Sequence, residues 1–220
     1  MTDQLHPEEQ MNFDEYEVVE IDRSEWKMFI LNRHYLKRIP PVSFAFGLRD
    51  ISKNRIDGVC LFGIPASRSA CVGVCGEDRA PDVLELNRIA LNDGLQKNTG
   101  SWFVSKCLKL IPKKSIVVSW ADTGVGHVGY IYQALNFIYT GCSKERTDQG
   151  SKGHSRHSDV TMPRVVRSPK HRYVWFADKR DVKLIKWEKL PYPKGDSLKT
   201  NGQNVTQSNH SRQESLWGTK

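Results

Sequence analysis

Hydrophobic and polar positions along the chain alternate in a way that predicts a mixed fold. Residues 16–21 alternate as a strand, and Ser24 followed by Glu25 marks a helix start. Trp26, Phe29, Ile30 and Arg33 then run along that short helix, which Pro40-Pro41 closes. Residues 43–48 and 56–64 are two apolar strands joined through Asn54-Arg55, the pattern of an antiparallel hairpin. Residues 83–91 form a strand with two polar guests, Asn87 and Arg88. Asn98 and Thr99 cap a helix whose face is Phe103, Cys107, Leu110 and Ile111, and Pro112 stops it. Residues 115–120 make a buried strand. Gly126 opens a helix with Val128, Ile131, Tyr132 and Leu135 on one side, and 136–140 is again a strand. A last strand falls on the aromatic run 173–177, followed by the apolar-rich 181–187. The order predicts an α/β (α+β) domain with a partly antiparallel sheet.

Composition sharpens this picture. A chain of 220 residues suits one domain with appendages, and no stretch approaches the ~18 apolar residues of a membrane span. The start of the sequence is acidic, unlike a signal or transit peptide. Five cysteines, at 60, 71, 75, 107 and 142, form no CxxC pair, which favours reduced thiols and a cytoplasmic location. Cys71 and Cys75 share a helical spacing and are either metal ligands or small buried thiols. The net charge of +8 is uneven: residues 1–141 carry 16 Lys and Arg against 17 Asp and Glu, whereas 142–220 carry 17 against 8. A basic extension on a near-neutral body points either to a polyanionic partner or to a solvated tail. Residues 1–16 read as an acidic extension, 17–193 as the domain, 142–172 as a flexible basic insertion, and 194–220 as a disordered polar tail.

Several polar residues interrupt this plan. His34-Tyr35 ends the first helix ahead of Lys37-Arg38, where a histidine and cations oppose the helix dipole. Arg88 in an apolar strand needs a carboxylate, a phosphate or a wet cleft. Glu85, an odd number of residues away, should face the other side. Thr99 and Ser101 are cap residues at a position that also suits an anion. Asp122 stands between a strand end and a glycine loop, either as a turn residue or as part of a site. The element order matches the GNAT acyltransferase layout, although Gln96–Ser101 lacks the glycine-spaced R/Q-x-x-G-x-G/A signature.

Four segments together, ELNRIALND, NTGSWFVSKCLKLIP, IVVSWADTGVGHVGYIYQALNFIYTG and KHRYVWF, resemble the bacteriophage Mom family of DNA modification proteins over about 17–193. The resemblance implies a GNAT-like fold and transfer of a carbamoylmethyl group to N6 of adenine in double-stranded DNA, which protects it from host restriction inside the bacterial cell. By position it carries over His34, Tyr35, Asp122 and Tyr132 as the catalytic group, and Arg88 and Ser101 beside it. Trp120 stands where the family usually has tyrosine. The resemblance also implies acyl-CoA as cofactor, held by Arg88 and the Asn98-Thr99-Gly100-Ser101 helix start, and a bound iron, with His34, Tyr35 and Asp122 as the residues to test. Proton transfer falls to Asp122 or His34, and orientation of the donor carbonyl or the base to Tyr132. Lys152, Arg156, Arg164, Arg167, Lys170 and Arg172 of the insertion would clamp the DNA backbone. Two other readings stay open: a GNAT acetyltransferase acting on a protein or small-molecule amine, and a non-catalytic DNA-binding accessory. Oligomeric state is open, with a homodimer among the alternatives.

Overall fold

The computed structural model describes residues 13–155 and 157–194. Strand β1 (Tyr16–Glu20) leads into helix α1 (Arg23–Arg33). That helix begins two residues earlier than Ser24 suggests, because Asp22 is the cap and the Glu25 carboxylate accepts its backbone N–H at 2.9 Å. Strands β2 (Phe44–Asp50) and β3 (Arg55–Gly63) form the expected hairpin. A helix the apolar pattern did not announce, α2 (Arg68–Cys75), precedes β4 (Val83–Leu91). Helix α3 (Thr99–Leu110), β5 (Ile116–Asp122), the short α4 (Tyr130–Ala134) and β6 (Ile138–Cys142) follow. Gly126 does not open α4; it ends a 3-10 turn over Thr123–Val125, and α4 starts after Gly129, three residues on. Within the predicted flexible insertion the chain forms a two-stranded ribbon, β7 (Arg146–Gln149) and β8 (Arg164–Arg167). The last sheet strand, β9 (Lys170–Phe176), begins inside the same segment. A 3-10 turn over Lys179–Leu184 follows it. The expected N-terminal extension up to residue 12, the tail from residue 195 and Arg156 lie outside the described residues.

Among the described residues seven strands form one sheet in the order β1-β2-β3-β4-β5-β9-β6. Every neighbouring pair is antiparallel except β4–β5, as a GNAT-like layout requires. One face carries α3 and α4: Phe103, Val104 and Cys107 pack on Phe46, Phe62, Leu86 and Val117. The other face carries α1, through Trp26 and Ile30 on Val59 and Leu61, and α2, through Cys71, Val74 and Cys75 on Ile116, Val118 and Phe176. Cys71 and Cys75 are therefore core thiols, the second of the two expected roles.

Two irregularities position everything that follows. The β4–β5 pairing runs only from Val83/Ile116 to Leu86/Ser119, although both strands continue. At that point β4 also carries an extra residue, since Leu61 pairs with Arg88 while Phe62 pairs with Leu86. The bulge at Asn87 turns Arg88 back onto the face that Glu85 occupies, so the expected opposition of the two is overturned.

Gly129 sits at φ +86°, and a Cβ there would lie 2.5 Å from the Tyr173 ring. Gly129→Ala should therefore cost ~2 kcal/mol or more, from left-handed strain and the ring clash together. Urea unfolding followed by tryptophan fluorescence would measure it, and a midpoint equal to wild type would show that α4 relaxes freely.

Candidate active site

Where β4 and β5 part, a cleft of about 1340 Å³ opens between the ends of α1 and α2 and runs to the base of the ribbon. Small-molecule sites usually hold ~300–1,000 Å³, so there is room here for two reactants. His34, Tyr35, Arg88 and Tyr132 line it, as do Arg167, Lys170 and Arg172.

His34 caps α1 and is 8% exposed. Burial, then Arg88, His127 and Lys170 nearby, push its pKa down to about 3. It is a neutral imidazole at physiological pH and not a cation opposing the helix dipole, so that expectation is corrected. Its Nδ1 accepts the Leu36 backbone N–H at 3.1 Å, which leaves the ring proton on Nε2. Tyr35 stacks on His34 with ring centroids 4.5 Å apart and meets His127 edge-on at 5.6 Å. Burial and the Asp122 charge raise the Tyr35 pKa, so the phenol stays protonated.

Arg88 is held by its own strand. One guanidinium nitrogen donates to the Asn87 carbonyl and the other to Arg38 O at 3.3 Å. Its Nε is buried with no hydrogen-bond partner among the described residues. An orphaned donor of a charged group is a costly arrangement, offset only in part by the two carbonyls the guanidinium already reaches. Burial lowers the Arg88 pKa, and Tyr35 and Glu85 oppose that shift.

Asp122 lies just beneath the cleft lining. Burial raises its pKa, but hydrogen bonds from Ser168 and Lys170 outweigh this and hold it below the usual carboxylate value. Oδ1 accepts from the Ser168 hydroxyl and from Gly124 N at 3.0 Å, and Oδ2 meets Lys170 Nζ at 3.0 Å. Asp122 is thus a turn residue and a charge in the site at once. Tyr132, half-buried beside Ser119, has its pKa pushed up to about 12 by burial and remains a hydroxyl donor.

The helix start at Asn98-Thr99-Gly100-Ser101 is not part of the cleft lining. Thr99 Oγ1 donates to Gln96 O at 2.6 Å and Ser101 Oγ to Asn98 O at 3.0 Å, so neither hydroxyl caps an N–H. Thr99 and Trp102 N–H find Gln96 and Asn98 carbonyls, and among the described residues those of Gly100 and Ser101 are the open donors of the first turn. A Cβ on Gly100 would lie 3.1 Å from Leu91 and 3.3 Å from Ile131, both cleft residues, so this turn stands directly behind the wall. These open donors fit a pyrophosphate.

The expected iron finds no such fit. Among the described residues no three His, Cys, Asp or Glu side chains gather as a ligand set. His34 Nδ1 and both Asp122 oxygens are already engaged.

Of the predicted DNA contacts, Lys170 is paired with Asp122, and Arg172 is a structural pin. Its guanidinium bonds Thr140 Oγ1 at 2.9 Å and Thr140 O at 2.8 Å, and lies 3.7 Å from the Trp187 ring. Arg167 lines the cleft near Asp148, at 3.7 Å. Lys152 and Arg164 are exposed on the ribbon and its loop, and Arg156 lies outside the described residues. Sequence reasoning missed His127, a cleft imidazole that burial keeps neutral while Asp122 pulls its pKa up. Its signal was its place in the glycine loop five residues after Asp122. Glu85 and Arg38, also cleft-lining, were missed as site residues.

The Mom protein family model matches residues 15–194. The chain belongs to the Mom family. A Mom relative, the methylcarbamoylase mom of Escherichia phage Mu, is 29% identical over 196 residues, covering 76% of this chain and 79% of that protein. Solved structures similar to this Mom protein include the ribosomal-protein-S5-alanine acetyltransferase of Vibrio fischeri, with TM-score 0.49 and 12% identity over 77% of this chain and 97% of that one. An agmatine N-acetyltransferase gives TM-score 0.48 and 12% identity over 74% and 99%. Likenesses this loose carry no argument about activity. Among the described residues no helix is long and apolar enough to cross a membrane.

The depressed His34 pKa makes stability depend on pH. Between 6.5 and about 3 the unfolded imidazole takes a proton that the folded one refuses, so stability falls as pH drops through that window. His34→Gln should remove up to ~1.4 kcal/mol per pH unit of this slope. Urea titrations from pH 7 to 4 test it, and parallel slopes for the two proteins would refute the buried neutral imidazole.

Proposed function

We infer that this protein transfers a carbamoylmethyl group to N6 of adenine in duplex DNA, protecting phage DNA from host restriction. Membership of the family supports the reaction class. The observation that carries the reading for this chain is one cleft with Arg88, Tyr35 and Tyr132 on its walls and the arginine-bearing ribbon at its mouth. A neutral or basic small substrate would not need that cationic rim.

The reaction forms an N6–CH2 bond, breaks the bond between that carbon and the donor's leaving group, which departs with the electron pair, and removes one N6 proton. Adenine N6 is a weak nucleophile, so its acceptor lone pair must be aimed at the donor carbon and water kept out. His127 is the base that fits: neutral, facing the cleft, with no hydrogen bond from its ring among the described residues. The Asp122 carboxylate stabilises the imidazolium that forms, which is its share in proton transfer. His34 presents Nε2–H and Tyr132 its hydroxyl as donors to the amide oxygen of the transferred group. Tyr35 orders His34 and His127 by ring contact. Arg88 lines the cleft, and its guanidinium charge answers an anionic oxygen of donor or DNA. An acyl-CoA would be held by its pyrophosphate at Gly100 and Ser101 N–H; its thioester is activated for acylation, so the N6–CH2 bond needs a donor whose leaving group sits on the CH2 carbon. In B-DNA the amine is stacked and paired, so the adenine is taken from the helix into the cleft.

Complete digestion of DNA from cells expressing the protein should yield deoxyadenosine heavier by one carbamoylmethyl group, seen by mass spectrometry. Asp122→Ala and Arg88→Ala should each reduce it at least ~100-fold, since each removes a charge that acts on the transition state. Unmodified nucleosides from soluble wild-type protein would favour the DNA-binding accessory instead. For the ribbon, Arg164→Gln with Arg167→Gln should lower the slope of log affinity against log salt by ~1–2, about 0.9 per phosphate contact. Arg172 is left intact because its loss would disturb Thr140 and Trp187. An unchanged slope would remove the ribbon from the DNA interface.

A further inference from the structure

The loop that joins β7 to β8 ends in a rigid turn with an apolar side chain at its tip. Gly150 N–H donates to Pro163 O at 3.1 Å and closes the loop base, while Asp159 N–H donates to Gly150 O at 2.8 Å. Met162 N–H returns to Asp159 O at 3.0 Å. The Asp159 carboxylate accepts Thr161 N–H at 2.9 Å and the Thr161 hydroxyl at 2.6 Å, and Lys152 stands 3.6 Å away. Asp159 and Thr161 are thus fixed on either side of Val160, which is 91% exposed. A β-branched side chain has few rotamers, so Val160 projects as a stiff knob.

Its surroundings say what the knob meets. Gln149, Ser151 and Ser158, on both arms of the loop, line the cleft, so the tip stands at the cleft mouth. Lys152, beside Asp159, and Arg164, at the loop end of β8, are exposed on either side of it. The loop is also braced on the body: Ile39 N–H donates to His154 O at 3.1 Å, and His154 Nδ1 lies 2.6 Å from Lys37 O. A braced apolar tip in a cationic field complements a polyanion with an apolar interior, and a stacked nucleic-acid duplex has both properties.

We propose that Val160 is a wedge that enters the base stack of duplex DNA beside the target and fills the space the extruded base leaves. The proposal rests on the reading that this cleft receives a base from DNA, and deepens it by naming the residue that opens the helix. Val160 touches no reacting atom; it is a positioning residue. Extrusion costs a few kcal/mol of stacking and pairing for a paired base and less for a mismatched one, so the need for a wedge scales with pairing.

The test compares wild type, Val160→Gly and Val160→Leu on duplexes that each carry one 2-aminopurine in place of adenine, in several sequence contexts. Wild type should raise 2-aminopurine emission on binding. Val160→Gly should lose at least about fivefold of that rise while its DNA affinity stays within about twofold, because the phosphate contacts remain. Val160→Leu should restore the rise. On ordinary adenine, Val160→Gly should modify a paired target about tenfold more slowly and a mismatched one within about twofold of wild type. Equal emission for Val160→Gly and wild type would overturn the wedge alone, as would equal losses on paired and mismatched targets. No emission rise with wild type overturns it too. Emission that rises without any N6 product would instead sink the transfer reaction and leave the wedge standing.

Discussion

The extra residue at Asn87 is the constraint from which the site descends. Its Nδ2 donates to Pro41 O at 2.8 Å, pulling the segment after α1 against β4. That approach is only open because residue 63 is glycine, since a Cβ there would lie 2.0 Å from the same carbonyl. The bulge ends the β4–β5 ladder at Leu86 and Ser119, and the Ser119 hydroxyl takes up the Leu86 carbonyl at 2.9 Å. Beyond that bond the strands have no mutual partners, and the gap is the cleft. A regular strand would have kept Glu85 and Arg88 on opposite faces and left no opening.

With the gap in place, electrostatics choose which groups keep their charge. Arg88, Arg167 and Lys170 put positive charge on walls that also carry Glu85, Asp93 and Asp148, while Asp122, just beneath them, is bonded to Lys170. Protonating His34 would add a further cation in a buried place beside Arg88, and the imidazole stays neutral for that reason. The tyrosines keep their protons because burial penalises the phenolate. The result is a site of neutral donors and fixed cations, suited to anionic or carbonyl oxygens. In that setting His127, with Asp122 nearby, is the group most ready to take a proton.

How much of this was legible in the sequence depended on whether the signal was local. Periodicity placed β1 to β6 and α3 within a few residues, because their burial follows simple alternation or a helical stripe. The bulge was legible too, although parity reasoning passed over it. Leu84 and Leu86 keep one phase and Ile89 and Leu91 the other, so the apolar face changes step across Asn87-Arg88. The helix α2 was hidden by its glycines and small residues, Ala70, Cys71, Gly73 and Cys75, which pack against strands far along the chain. The ribbon was hidden because Arg146–Gln149 is wholly polar and Arg164–Arg167 holds just two apolar residues, and the two pair across fourteen intervening residues. His34, Tyr35, Arg88, Asp122 and Tyr132 could be named through family resemblance. Their meeting in one place depends on tertiary contacts that no local pattern encodes.

Those contacts converge on the short segment from His34 to Pro41. Its start is set by the Leu36 N–H bond to His34 Nδ1, its middle by Lys37 and Ile39 bonds to His154, and its end by Asn87 on Pro41. The next residues join the sheet, with Ser43 N–H on Phe62 O at 2.7 Å. The His34–Tyr35 stack therefore shares one piece of backbone with the brace of the ribbon loop. In the proposed DNA-bound state a load on the ribbon would pass through His154 to Lys37 and Ile39, two and four residues from Tyr35, the ring that meets His127. The far end of the segment is pinned at the bulge, and Lys37 holds a positive φ of 42° beside Tyr35. The bulge that opens the cleft is thus also the fixed point of the segment that joins the His34–Tyr35 stack to the ribbon brace.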